Sequence, residues 1–137
     1  MEIIMGLDMY LIGRKFNAGM EKPKDDEGYE IEEIVVRLGY WRKHANLHGY
    51  IVQHFADGRD ECQNIELSME NLEQLLKVVK KPTEMEKTKG FFFGESANDD
   101  EQIKDDVAIL TKAVGFLAAG TVRKESVWRS VVYRASW

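Results

Sequence analysis

The chain has 137 residues, enough for one domain with a genuine core, and 44% of them are aliphatic, aromatic or sulfur-bearing against 31% charged. Its formal net charge of −5 argues against a broad grip on duplex nucleic acid, which depends on neutralising many phosphates with lysine and arginine. A single cysteine, Cys62, excludes an intrachain disulfide, and no apolar run approaches the ~20 residues that span a bilayer.

Residues Ile3, Met5, Leu7, Met9 and Leu11 alternate with Ile4, Gly6, Asp8, Tyr10 and Ile12, the period of two expected of a first strand. Glu2 stands where a signal peptide would carry basic residues, so a cytoplasmic protein is expected. Asn17 to Gly28 is rich in glycine, acid and lysine and reads as a solvated loop. A second strand is predicted over Ile31 to Leu38. Gly39-Tyr40 is expected to break it, and Trp41 to begin a helix running to Phe55. The stripe of that helix holds Trp41, Ala45, Leu47, His48, Ile51, Val52 and Phe55.

Cys62 to Leu67 reads as a third strand. Ser68 is a good N-cap for a helix from Met69 to Lys80, which buries Leu72, Leu75, Leu76 and Val79 and stops at Pro82. Thr83 to Lys89 is polar and leads into Gly90-Phe91-Phe92-Phe93-Gly94. Asn98 or Asp99 then caps a third helix, whose Ile103, Val107, Leu110, Val114 and Leu117 step by four and three. Gly120 is placed for its C-cap, and Val131 to Trp137 alternates as a closing strand. The order β-β-α-β-α-α-β predicts one α+β domain over 1–137, a mainly antiparallel sheet of about four strands with three helices on one face.

Chemistry is most concentrated in Gly39-Tyr40-Trp41-Arg42-Lys43-His44. At a strand-to-helix junction, free backbone N–H groups favour an anion, Arg42 and Lys43 add charge, and Tyr40 or Trp41 can stack on a planar ring. Anion plus ring describes a nucleotide-like ligand. The competing view has Trp41 in the core and the two cations in water. Asp8 on the first strand, His48 on the helix and Phe92 complete the candidate ligand site. His44 and His48, four apart, are half of a zinc site but lack the ligands that would finish one, so no metal or cofactor is expected. His48 with Asp8 or Cys62 is the alternative of a small hydrolase. Ranked ahead of the hydrolase is a modulator that binds a host protein through exposed aromatics such as Phe92, and the same surface fits a homodimer.

Several segments together resemble an uncharacterised family of small phage and prophage proteins. They are Met5-Gly6-Leu7-Asp8-Met9-Tyr10-Leu11, Gly39-Tyr40-Trp41-Arg42-Lys43 with His48, Asp57-Gly58, Cys62 and Ser68. Gly90-Phe91-Phe92-Phe93-Gly94 with Asp99 and Tyr133-Arg134-Ala135-Ser136-Trp137 complete the set. The resemblance implies expression in a bacterial host cytoplasm and a host molecule as partner. It carries over no catalytic residue, since the family has no established activity. Members usually have asparagine at Ala45 and tyrosines at Asn98 and Gln102, and begin at the methionine matching Met5.

Overall fold

The computed structural model describes residues 6–19, 21–85, 100–122 and 127–136. The predicted aromatic run around Phe92, the Asn98 or Asp99 cap and Trp137 lie outside them. The element order is β1 (Asp8–Asn17), β2 (Glu33–Arg42), α1 (Ala45–Phe55), β3 (Ile65–Leu67), α2 (Met69–Val78), α3 (Pro82–Met85), α4 (Asp100–Val122) and β4 (Val127–Ser136). Four antiparallel strands form one sheet in the order β2-β1-β4-β3, so the fold is α+β as the pattern predicts. The strands of greatest sequence separation, β1 and β4, lie at its centre. Asp8 to Asn17 pair without interruption against Ser136 to Val127.

Alternation sorts the side chains of this sheet. Met9 and Leu11 on β1, Val131, Tyr133 and Ala135 on β4, and Ile65 and Leu67 on β3 are buried toward the helices. Helix α4 lays Leu110 and Ala113 into the same core, with Val107, Val114 and Leu117 packed against it. Helix α2 starts as its sequence suggests. The Ser68 hydroxyl accepts from Asn71 N–H at 3.1 Å while the Asn71 amide oxygen accepts from Ser68 N–H at 3.0 Å. Beyond Pro82, where a polar connection is expected, the chain makes one more helical turn and buries Met85.

The main departure from expectation is in β2. Leu11 pairs with Gly39 but Ile12 pairs with Arg37, which leaves Leu38 as an extra residue in a β-bulge. The strand continues through Gly39-Tyr40 to Arg42, so Trp41 is a strand residue and not the start of a helix. Lys43 takes a left-handed conformation at φ 56°, and its N–H donates to Leu7 C=O at 2.7 Å. His44 is the residue before α1.

Close approach explains why glycine stands at two positions on the helix-covered face. A Cβ on Gly39 would sit 2.2 Å from Ile109 Cγ2, and one on Gly13 would sit 2.8 Å from Phe116 Cζ. Helix α4 thus rests two bulky side chains in gaps of the sheet. Gly39→Ala is expected to lower stability by about 1–3 kcal/mol through overpacking. Urea denaturation should show Ile109→Ala recovering part of that loss in the double variant, because it removes the atoms the new methyl meets.

Candidate functional site

Among the described residues, the helices cover one face of the sheet and leave the other open. On β1 the open face receives Asp8, Tyr10, Ile12, Arg14 and Phe16, the positions that alternate with the buried ones. The bulge shifts the phase of β2, so Arg37 precedes it and Tyr40 and Arg42 follow it on that same side. Register brings Tyr10 opposite Tyr40 on one neighbour and Arg134 on the other.

These residues form an aromatic and cationic cluster. The Tyr10 and Tyr40 ring centroids lie 5.3 Å apart, tilted by 50°. The Arg37 guanidinium carbon stands 5.1 Å from the Tyr10 centroid and 5.6 Å from that of Tyr40, and Arg134 stands 5.8 Å from the Tyr10 centroid. Both arginines are within cation–π range. The Tyr40 hydroxyl donates to Asp8 Oδ1 at 2.5 Å, and this bond holds the phenol above its ordinary pKa. An open cleft of about 590 Å3 lies over the cluster, lined by Tyr10, Ile12, Val35, Arg37, Arg134 and Ser136. Arg14 is paired with Glu33, whereas neither Arg37 nor Arg134 makes an ion pair among the described residues.

The residues predicted from sequence are divided by this arrangement. Asp8, Tyr40 and Arg42 belong to the open face. Tyr40, Trp41 and Arg42 also border a smaller cleft of about 250 Å3 beside α4, but Asp105 lines it too and would repel an anion. Lys43 is exposed in the turn before α1. The expected helix terminus at Trp41 is corrected by the bulge: Trp41 and Arg42 end β2, and α1 begins only at Ala45. Trp41 is 4% exposed and His48 1% exposed, so both are core residues. Phe92 lies outside the described residues.

Two buried polar networks account for Trp41, His44 and His48. Asp106 on α4 accepts at Oδ1 from Trp41 Nε1–H at 2.8 Å and from the Gln102 amide at 3.0 Å, while its Oδ2 lies 2.8 Å from His44 Nε2. This carboxylate joins β2, α4 and the start of α1. His48 lies between the Tyr133 hydroxyl, 2.6 Å from Nδ1, and Asp60 Oδ1, 3.0 Å from Nε2. A carboxylate only accepts, so Nε2 carries the proton and Nδ1 accepts from the phenol. Burial pushes the Tyr133 phenol well above 10.0, aided by the Asp60 charge, and pushes His48 below 6.5 against the opposing pull of Asp60. The gap beside His48, bordered by Asp60 and Cys62, is too small for a water molecule. No group of three or more histidine, cysteine or acidic side chains among the described residues is placed to hold a metal.

Tyr10, Arg37, Arg134 and Asp106 are absent from the predicted site. Asp106 had a signal, since an acid at that position interrupts the stripe of Ile103, Val107 and Leu110. The other three lie on separate strands, and only their pairing joins them. No family model, curated protein or solved structure among those compared matches the chain.

Asp106→Ala would remove the carboxylate that the buried Trp41 indole and His44 ring face, and a loss of about 3–5 kcal/mol is expected in urea denaturation. His48 generates a pH dependence. The unfolded ring titrates near 6.5 and the folded ring lower, so below 6.5 the unfolded state takes up the proton first. The contribution is complete above 6.5 and is lost as pH falls through the folded value. The stability difference between the protein and His48→Asn should therefore shrink from pH 8 to pH 5, and a constant difference would refute the assignment.

Proposed function

We propose that the protein is a non-enzymatic binding protein that takes an anionic, nucleotide-like ligand on the open face of its sheet. The observation that carries this is the pair of guanidiniums, Arg37 and Arg134, that make no ion pair among the described residues and flank the Tyr10 ring on the floor of the 590 Å3 cleft. Arginine in that setting can grip a phosphate by two parallel hydrogen bonds, and the tyrosine rings offer a face to a base. The reading keeps the ligand chemistry expected from Tyr40 and Arg42 and moves its centre to Tyr10. The resemblance to phage and prophage proteins would make the ligand a metabolite or signal of the infected cell.

A second reading, a modulator that binds a host protein, draws support from the exposure of Trp128 at 73% and Phe16 at 46%. The hydrolase reading has less to support it, because His48 has no room beside it for substrate or water.

Thermal-shift and calorimetric titrations with nucleoside mono-, di- and triphosphates test the first reading. At a hundredfold excess over Kd, a bound nucleotide should raise Tm by about 5 °C or more. Arg37→Ala, Arg134→Ala and Tyr10→Ala should each weaken binding about tenfold while leaving the unliganded Tm nearly unchanged, since all three side chains face the open side. Absence of any shift across the panel would remove the reading.

A further inference from the structure

The open face extends well beyond the Tyr10 cleft. Along β1 the outward positions run from Tyr10 through Ile12 and Arg14 to Phe16, a span of about 20 Å at the rise of a strand. At the far end, register sets Phe16 opposite Trp128. Aromatic side chains thus stand at both ends of one row, Tyr10 with Tyr40 and Phe16 with Trp128. Ile12 and Val132 form an apolar floor between them.

Charge on this face runs against that of the chain. Arg14, Arg37, Arg42 and Arg134, four of seven arginines, project here against three acids, Asp8, Glu33 and Glu66, whereas the whole chain carries −5. No lysine of the four strands lies on this side. Lys15, the one strand lysine, alternates to the other. Guanidinium without ammonium is the choice suited to bidentate phosphate contact and to stacking on rings. Aromatic platforms in a row with cations alongside are the means by which proteins hold single-stranded nucleic acid, one base per ring face.

We infer that the open face binds a short single-stranded oligonucleotide laid along β1, one base on Tyr10 and a later one on Phe16 and Trp128. The inference rests on the Tyr10 cleft being an anion-and-ring site and names the class of ligand that fits the rest of the face. Electrostatics remain compatible with the net charge, because a few arginines on one face suffice for a short strand where a long duplex would need many.

Calorimetry with oligothymidylates of one, two, four and six nucleotides, in one low-salt buffer, provides the test. Four nucleotides should bind at least tenfold more tightly than one, with little gain at six. Phe16→Ala and Trp128→Ala should each weaken the tetramer about tenfold and leave the mononucleotide unaffected, whereas Tyr10→Ala should weaken both. Equal affinity for one and four nucleotides, with Phe16→Ala and Trp128→Ala silent, would overturn the inference and leave the Tyr10 reading standing. Binding of neither would remove both. A face-to-face homodimer in sedimentation that Trp128→Ala dissociates would also overturn it, because the second copy would then be the occupant.

Discussion

A single extra residue in β2 sets the relation between the inside and the outside of this protein. Before Leu38 the strand turns its even-numbered side chains toward the helices, and after it the odd-numbered ones. Leu38 and Gly39 both fall on the covered side, which a regular strand forbids. The shift sends Trp41 inward to Asp106 and Tyr40 outward to Asp8 and Tyr10. Removing the bulge while keeping the rest of the register would bury a tyrosine where the indole now donates and would expose the indole. The absence of a side chain at Gly39 is part of the same arrangement, since Ile109 of α4 occupies the space beside it.

Asp106, His44 and His48, which look catalytic in this chain, are located in the core and are engaged there. Asp106 has a donor or a histidine nitrogen at both oxygens, and His48 is bound at both nitrogens. Among the described residues no buried side-chain nitrogen or oxygen lacks a partner. Such networks are directional where apolar packing is not, so they favour one seating of α4 and α1 on the sheet over its near neighbours. The open face differs in the opposite sense. Arg37 and Arg134 approach rings there and make no ion pair among the described residues.

Much of the architecture was legible in the sequence because it depends on local periodicity. The stepping of Ile103, Val107, Leu110, Val114 and Leu117 marks α4, alternation marks β1 and β4, and Ser68 with Asn71 forms the cap its position suggests. The bulge was not legible. Glycine and tyrosine followed by tryptophan look the same whether a strand ends or is merely offset by one, and the apolar stripe of α1 can be extended back to Trp41 without contradiction. The open-face site was hidden for a different reason. Tyr10, Arg37 and Arg134 are each unremarkable on their own strands, and what joins them is the pairing of β1 with β2 on one side and with the distant β4 on the other. Asp106 was visible as an acid on an apolar stripe, but its partners on β2 and before α1 were not.

The irregularity in β2 also bears on how these molecules behave in a crowd. β2 is an outer strand ten residues long, with Ile34 and Val35 well exposed, and its free side has no partner strand among the described residues. A flat edge of that kind is a template on which another chain can add a strand, the first step toward aggregation. The extra residue at Leu38 twists the edge away from flatness, and the left-handed Lys43 closes it off directly after Arg42. At the opposite edge β3 is only three residues long before α2 begins, too short to nucleate a ladder. The same kink that directs Tyr40 to the open face therefore also serves as a guard against indiscriminate strand exchange.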